Sequence, residues 1–196
     1  TLSYDVCVIS LGARTAFYGL DGVAAHATPL KRLDHVAKIR RGFQQVGETG
    51  GRAVVGGAGL SGVQTAGELA ELAAGAEAAP EVVLLEQANT VAPGFDRSFR
   101  EALRETLDDR GVDVRTGQSV ERATADEVVL SDGSLAYDQF IWTGGITGQF
   151  DGRRAVRATL RVDDRTFALG DAARVVDTDG DVAPAAAQTA VGQAET

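Results

Sequence analysis

The chain contains few residues of the types that build covalent or metal-based sites. A single cysteine, Cys7, cannot form an internal disulfide, and with only two histidines the sequence offers too few soft ligands for a zinc site. Cys7 lies in an apolar segment, which predicts a small buried residue in a reducing, cytoplasmic location. No uninterrupted apolar run approaches the roughly 18 residues of a membrane-spanning helix. Disulfide-rich, zinc-dependent and membrane-spanning proteins are therefore disfavoured.

Lysine is also scarce. Of the 19 basic residues only Lys31 and Lys38 are lysines, and 28 acidic residues bring the net charge to −9 at pH 7. This charge argues against nucleic acids and anionic membrane surfaces as direct partners. A halophilic source and a GC-rich genome both explain an acid-rich, lysine-poor chain, and the sequence does not separate them. With 44% hydrophobic residues among 196, the chain can form one sizeable core, or one domain and parts of another.

The most informative pattern lies at residues 52–62. A short apolar strand over 52–56 precedes an Ala/Leu/Glu-rich helix over 60–74, and between them is a G-x-G-x-x-G turn, Gly57-Ala58-Gly59-Leu60-Ser61-Gly62. In such a unit the first glycine permits the tight turn, the second lets the backbone approach a phosphate, and the third lets the helix pack closely on the sheet. Free N–H groups and the positive end of the helix dipole then face a pyrophosphate.

A second apolar strand, over 81–86, ends in an acid. Glu86 lies 24 residues after Gly62, near the separation of about 20 at which a carboxylate binds the adenosine ribose of a dinucleotide. A carboxylate there binds the ribose diol of NAD and repels the 2′-phosphate of NADP, and residues 87–90 contain no arginine. We therefore predict that the ligand is NAD(H). The alternative is a structural βα turn followed by an ordinary acid at a strand end.

Hydrophobic periodicity predicts the remaining elements. Thr28-Pro29 is a helix start signal, and Gly111 is a helix stop signal. An acidic turn is expected from Asp177 to Asp181, before Pro184. Residues 147–165 are expected to form a charged loop. The other predicted elements are a buried strand over 4–10, helices over 28–43 and 96–110, a short strand at 113–114, an antiparallel meander over 118–123, 126–131 and 134–137, and buried strands over 137–142 and 166–169.

Three weaker patterns each allow two interpretations. Asp171, after a strand and Gly170, could accept a hydrogen bond from a cofactor hydroxyl or could be a helix N-cap, and spacing alone favours the N-cap. The amides of Gln188 and Gln193 could bind a carbonyl-bearing ring or could form the polar face of a terminal helix, which the residues alone favour. The charges over 96–110 predict a solvated helix face with i,i+4 pairs.

The order of these motifs resembles the pyridine nucleotide-disulfide oxidoreductase superfamily and, within it, the type II NADH dehydrogenases (NADH:quinone oxidoreductases). The resemblance covers nearly the whole chain. Beside the glycine turn and Glu86, four segments are similar to motifs of that family. The segment from Tyr4 to Gly12 is similar to Y-D-x-L-V-I-A-x-G, and that from Ile141 to Ile146 is similar to I-W-T-A-G. The segment from Ala168 to Ala172 is similar to A-x-G-D, and that from Pro184 to Gln193 is similar to P-x-x-A-Q-x-A.

The resemblance implies an α/β fold: a three-layer, Rossmann-like NAD-binding domain with a parallel sheet and a small antiparallel meander, flanked by parts of a FAD-binding domain. We expect the NAD(H)-binding domain at 46–148 and flavin-domain segments at 1–45 and 149–196. By the same resemblance Gly144 lies near the nicotinamide, and Gly12 and Gly170 belong to flavin motifs. Asp171 would contact the FAD ribityl chain and Gln188 the isoalloxazine and quinone pocket.

The implied activity is that of a FAD-dependent NADH dehydrogenase that passes electrons to a quinone. We nominate no catalytic side chain and no metal ligand, because the flavin supplies the chemistry. The glycine motif that receives the ADP part of FAD in this family is expected before Thr1, so we expect the chain to be a piece of a longer enzyme. That piece should bind NADH weakly and should not retain FAD. Peripheral contact with the inner face of the cell membrane is expected through other segments.

Two departures from the family pattern keep other functions open. Gln64 stands where many type II dehydrogenases carry a glutamate, and Gly192 stands where the quinone pattern has glutamine. The alternatives are another FAD/NAD(P)-dependent oxidoreductase of the superfamily, of the NADH oxidase, ferredoxin reductase or nitrite reductase type, or a non-catalytic NAD-sensing module. Bound flavin in the whole protein would exclude the sensing module.

Overall fold

A computed structural model describes residues 2–149, 152–176, 180–183 and 185–195. Most of the predicted acidic turn at 177–181, and Pro184, lie outside the described residues. The strands are β1 Cys7–Ile9, β2 Ala13–Thr15, β3 Thr28–Pro29, β4 Arg52–Gly56, β5 Glu81–Glu86, β6 Asp113–Thr116, β7 Val120–Ala123, β8 Glu127–Leu130, β9 Gly133–Ala136, β10 Gln139–Trp142, β11 Ile146–Gly148, β12 Arg154–Ala155, β13 Thr166–Ala168 and β14 Ala173–Arg174. The helices are α1 Val23–His26, α2 Leu33–Thr49, α3 Leu60–Ala74, α4 Arg97–Asp109 and α5 Ala187–Ala194.

The chain divides into two compact units. The larger unit is Phe17–Gly145, and the smaller unit combines Thr1–Ala16 with Ile146–Thr196. The first boundary therefore differs from the expected one at residue 45. Residues 17–45 belong with the larger unit because the α2 side chains Ile39, Phe43 and Val46 are buried in its core. Within the described part of the chain, no helix is both long and apolar enough to cross a membrane.

The larger unit is built on a five-stranded sheet in the order β3-β10-β4-β5-β6. All four strand pairs are parallel. The central strands β4, β5 and β10 are almost wholly buried, as expected when both faces of a parallel sheet are covered. Their apolar runs therefore do not alternate with polar residues. The predicted strands 52–56 and 81–86 and the helix 60–74 are confirmed with the same bounds.

Two separate apolar layers cover the two faces of this sheet. Val55 and Leu84 point to the face that packs against α2, α3 and α4. Their neighbours Val54 and Val83 point to the opposite face and pack with α1 and the antiparallel meander β7-β8-β9. Successive strand residues face opposite sides of a sheet, so a continuous apolar strand serves both layers. The predicted three-layer, Rossmann-like α/β fold with a small meander is confirmed.

The strand order creates a crevice at the carboxyl ends of the strands. From β4 the chain proceeds through α3 to β5 and then β6 on one side, whereas β10 pairs with β4 on the other side. At such a reversal of strand order the loops after neighbouring strands diverge, and ligands of doubly wound folds bind in the resulting space. The turn after β4, the loop after β5 and the loop after β10 border this crevice.

The interpretation of Thr28-Pro29 as a helix start is wrong. These residues form β3, in which Thr28 pairs with Ile141 and Pro29 with Trp142 at the edge of the sheet. Proline is tolerated there because an edge strand leaves one side of its backbone unpaired. Helix α2 begins later, at Leu33, and continues past the predicted end at residue 43 to Thr49. It stops where Gly50 adopts the left-handed conformation, with φ 71°.

In the part of the smaller unit that the structure describes, the strands form three separate pairs, β1-β13, β2-β11 and β12-β14. The predicted buried strand over 4–10 is shorter and more exposed than expected, because among the described strands β1 pairs with β13 alone. Val8 is 54% exposed and Cys7 is half-buried rather than buried. The segment 147–165 is not entirely a loop, since it contributes residues to β11 and all of β12. The predicted strand at 166–169 is confirmed as β13.

Candidate functional site

The site begins with the glycine turn, residues 57–62, which joins β4 to α3. Gly57 has a φ of 100°, a conformation that L-residues with a side chain rarely adopt. A β-carbon at this position would also lie 2.6 Å from the α-carbon of Gly144. The Gly57 N–H donates to the carbonyl of Leu85 at 2.8 Å. The first glycine therefore permits both the turn and the close approach of the loop after β10.

The other two glycines of the turn have different surroundings. A β-carbon at Gly62 would overlap the carbonyl oxygen of Gly57, so α3 can start against the turn only without a side chain there. At Gly59, which has an ordinary φ of −66°, no atom of the described residues lies within 4 Å of the β-carbon position. Gly62 is thus required by internal packing, whereas Gly59 faces open space at the start of the helix. That open space is where the motif predicts a pyrophosphate.

Glu86 ends β5 with a buried carboxylate. The residue is 8% exposed, and its Oε2 accepts a hydrogen bond from the Ala58 N–H at 2.7 Å. Its Oε1 accepts from the Ala88 N–H at 2.9 Å. A buried charge needs such partners, and each carboxylate oxygen retains a further lone pair for another donor. The carboxylate therefore connects the glycine turn to the loop after β5.

Thr143, directly after β10, binds the glycine turn from the other side. Its Oγ1 donates to the carbonyl of Gly57 at 2.8 Å and lies 3.0 Å from the carbonyl of Gly56. Its backbone N–H donates separately to Gly56 at 2.9 Å. Thr143 was not among the residues predicted from the sequence; its place after β10, in the segment similar to I-W-T-A-G, was the available signal.

These elements border a cavity of about 260 Å³ in the larger unit. Three residues predicted from the sequence, Gly57, Glu86 and Gly144, line it together. The lining residues that the sequence analysis did not assign to the site are Tyr18, Leu20, Leu85, Gln87, Gln118, Val120 and Trp142. The cavity therefore combines apolar and aromatic walls with a few polar groups, as small-molecule sites commonly do.

Two aromatic residues restrict the backbone on the β10 side of the cavity. Trp142 is 6% exposed, as expected of a core residue, and its indole occupies the space that a β-carbon on Gly144 would need. The Tyr18 hydroxyl occupies the corresponding space at Gly145. Tyr18 itself has a φ of 52°, in the left-handed region that disfavours residues with a side chain. Both residues line the cavity, so its β10 wall is aromatic.

Four predicted site residues belong to the smaller unit. Gly12 follows β1 and Gly170 follows β13, and both have left-handed φ angles of 69° and 63°. Asp171 lies inside a 3₁₀ turn, Gly170–Ala172, whose N-cap is Leu169, so the interpretation of Asp171 as an N-cap is wrong. Gln188 is exposed on α5, and the Gly170 N–H donates to Oε1 of Gln193 at 2.8 Å. Because β1 and β13 are parallel, the motifs that follow them lie at the same end of this pair.

A larger groove, about 680 Å³ in volume, follows α4 in the larger unit. Its walls carry the i,i+4 ion pairs Arg97–Glu101 and Arg104–Asp108, with distances of 2.7 and 2.9 Å. The hydrogen bond and charge of Glu101 raise the pKa of Arg97. The sequence prediction of helical charge pairs is confirmed, and this groove is a solvated helix face rather than part of the site.

The chain matches the sequence profile of the pyridine nucleotide-disulphide oxidoreductases over residues 1–194. It belongs to this family.

The names of curated relatives include NADH dehydrogenase-like proteins and NAD(P)H-ubiquinone oxidoreductases. A NADH dehydrogenase-like protein of Mycobacterium tuberculosis is 32% identical over 201 residues, which cover 93% of this chain and 49% of that protein. An internal alternative NAD(P)H-ubiquinone oxidoreductase of Solanum tuberosum mitochondria is 30% identical, over 98% of this chain and 46% of the relative. This oxidoreductase-family chain thus spans about half the length of the curated relatives it matches.

A solved structure of the same fold is NDH2 from Plasmodium falciparum in complex with NADH. It superimposes with a TM-score of 0.79 at 20% identity, over 88% of this chain and 44% of that one. At this identity the likeness concerns the fold, and it agrees with the Rossmann-like fold of the oxidoreductase family.

Proposed function

We propose that the larger unit binds NADH in the cavity at the carboxyl ends of β4, β5 and β10. The pyrophosphate would lie at Gly57 to Gly62, against the free N–H groups of the α3 start. The adenosine ribose would bind Glu86, and the nicotinamide half would pass Gly144. The observation that carries this proposal is that Gly57, Glu86 and Gly144, predicted separately from the sequence, line one cavity.

The charge of the site supports NADH over NADPH. Glu86 presents a buried carboxylate beside the glycine turn, and a 2′-phosphate placed there would meet a like charge. Residues 87–90, directly after it, contain no arginine or lysine. The mycobacterial relative is named for NADH alone, and the potato relative is named for NAD(P)H.

The smaller unit is proposed to contribute to a FAD site in the whole protein. Gly12 and Gly170 are left-handed and follow parallel neighbouring strands, and the ends of such strands are where doubly wound folds bind nucleotides. No described residue lies within 4 Å of the β-carbon position of Gly12, so among the described residues nothing blocks the approach of a ligand to its backbone. Asp171 would bind a ribityl hydroxyl, and Gln188 would lie against the isoalloxazine and quinone pocket. Bound flavin accepts hydride equivalents from NADH and passes electrons onward.

For the whole protein we propose NADH oxidation with a quinone as the electron acceptor. The potato relative, whose name includes ubiquinone, supports this acceptor class. The chain's own residues would bind and orient NADH and repel NADPH, and no side chain is assigned a catalytic role. Because quinones reside in membranes, the whole protein is proposed to contact the inner face of the cell membrane peripherally.

The test is to purify the whole encoded protein, record its visible absorption, and follow NADH oxidation with quinone analogues, oxygen and ferredoxin in parallel. The proposal predicts a flavin spectrum, saturable NADH oxidation and the fastest turnover with quinones. Preference for oxygen or ferredoxin would reassign the acceptor to the NADH oxidase or ferredoxin reductase type. A colourless protein that binds NADH without oxidising it would instead support a sensing module.

A further inference from the structure

One peptide group of the glycine turn is bound on both sides by side chains, from Glu86, which ends β5, and from Thr143, which directly follows β10. The carbonyl of Gly57 accepts the hydrogen bond of Thr143 at 2.8 Å. The N–H of the next residue, Ala58, donates to Glu86 at 2.7 Å. These two polar groups belong to the same planar unit and point in opposite directions, since the peptide is trans. Thr143 and Glu86 therefore restrain the rotation of this peptide from both sides.

Such a restraint is needed at this position. Gly57 can adopt conformations closed to other residues, so the peptide that follows it can rotate more easily than most. If the Gly57 carbonyl turned away from Thr143, the Ala58 N–H would turn away from Glu86. The Glu86 carboxylate is nearly buried and depends on Ala58 and Ala88 for its hydrogen bonds. Rotation of one peptide would thus release one of its two oxygens.

We infer that Thr143 is a positioning residue for the dinucleotide: its hydroxyl orients the Gly57–Ala58 peptide and, through it, the Glu86 carboxylate that binds the adenosine ribose. This inference rests on the proposed function. Thr143 acts from behind the turn, because the residues that line the cavity include its neighbours Trp142 and Gly144 but not Thr143 itself. Gly62 leaves the room for this hydrogen bond, since its β-carbon position lies 2.8 Å from Thr143 Oγ1.

The matched variants are Thr143→Val, which replaces the hydroxyl by a methyl group of similar size, and Thr143→Ser, which retains the hydroxyl. Both retain the backbone N–H that donates to Gly56. Thr143→Val should weaken NADH binding about 3- to 10-fold, as expected for one lost hydrogen bond. Thr143→Ser should bind within about twofold of the original protein. Equal weakening in both variants would overturn the inference, because Thr143→Ser retains the hydroxyl and the loss would then not depend on it.

A double-mutant cycle with Glu86→Gln separates positioning from general packing. If Thr143 acts through Glu86, Thr143→Val should change NADH affinity by about twofold or less in the Glu86→Gln background. An equal loss in both backgrounds would contradict the inference. Amide hydrogen exchange at Ala58, measured without ligand, gives a second readout: it should accelerate in Thr143→Val and stay unchanged in Thr143→Ser. Unchanged Ala58 exchange in Thr143→Val would also overturn the inference.

The same titrations distinguish a failure of the proposed function from a failure of the role inferred for Thr143. If the original protein binds no NADH, the proposed function is wrong and the role of Thr143 is wrong with it. If the original protein binds NADH and Thr143→Val binds it equally well, the proposed function stands and only the role of Thr143 is wrong.

Discussion

A β-carbon on Gly62 would overlap the carbonyl oxygen of Gly57, so the start of α3 and the turn before it can pack together only when residue 62 is glycine. The obstacle is a backbone carbonyl, and the hydrogen bonds of its peptide group to Thr143 and Glu86 oppose its rotation. The third glycine of the motif is therefore a requirement of folding, separate from any contact with a ligand.

Gly62→Ala should lower the free energy of unfolding by about 1–3 kcal/mol, the usual cost of overpacking. Gly67→Ala, in the same helix, is the control because, of the atoms that the structure describes outside the helix backbone, its β-carbon position meets Arg110 Nη1 alone, at an ordinary 3.5 Å. The control should be stabilised by about 0.5–1 kcal/mol, since alanine favours helix more than glycine does. Urea unfolding followed by circular dichroism measures both. Equal stability of the two variants would show that the close approach of residues 57 and 62 is unimportant.

Gly59→Ala should weaken NADH binding without lowering the stability of the protein. Its backbone conformation suits alanine and its β-carbon would project into open space, so the unfolding midpoint should not fall. The new methyl group would stand where the pyrophosphate approaches, and NADH affinity should fall by about tenfold or more. Calorimetric titration with NADH checks this. Undiminished affinity would mean that the pyrophosphate lies elsewhere.

Substitutions of Glu86 should change both stability and nucleotide preference. Glu86→Gln replaces one accepting oxygen by an amide group that cannot accept from a backbone N–H, so unfolding free energy should fall by about 1–3 kcal/mol. Glu86→Arg should shift the preference from NADH toward NADPH, because it replaces repulsion of the 2′-phosphate by attraction. Parallel titrations with both nucleotides measure the ratio of affinities. An unchanged ratio in Glu86→Arg would refute the ribose assignment.

Tyr137 should make stability sensitive to alkaline pH. Its hydroxyl donates to the carbonyl of Thr124 at 2.5 Å, and burial, with a smaller contribution from Asp126, raises the pKa of Tyr137 above its ordinary 10.0. Folding therefore favours the protonated phenol. This contribution is fully present below about pH 10 and is lost as pH rises through the folded-state pKa. Tyr137→Phe should be less stable at neutral pH, and its stability should fall less steeply above about pH 10. Identical pH profiles would contradict this.

The sequence predicted best those elements that local patterns determine. The β4-α3-β5 unit combines two apolar runs with a glycine turn and a helix-forming segment, and its predicted bounds are those of the structure. Thr28-Pro29 was misinterpreted because its strand conformation depends on pairing with Ile141 and Trp142, far along the chain. Local helix signals do not report such a partner.

The candidate site likewise contains residues that local patterns predict and residues that they do not. Glu86 could be predicted because its distance from the glycine turn along the chain is a known regularity. Thr143 could not, because its hydroxyl binds a carbonyl 86 residues earlier. A lone threonine after a strand carries no signal of that partner. Its role becomes visible only when β10 is placed beside β4.

The cavity beside Glu86 is proposed to bind NADH. Trp142 is the single tryptophan of the chain and lines that cavity, so its fluorescence reports occupancy directly. Titration of the 196-residue chain should produce saturable quenching by NADH, and NADPH should require at least about tenfold higher concentrations, the equivalent of about 1.4 kcal/mol of repulsion. No saturable change at millimolar NADH, or equal quenching by the two nucleotides, would contradict the account.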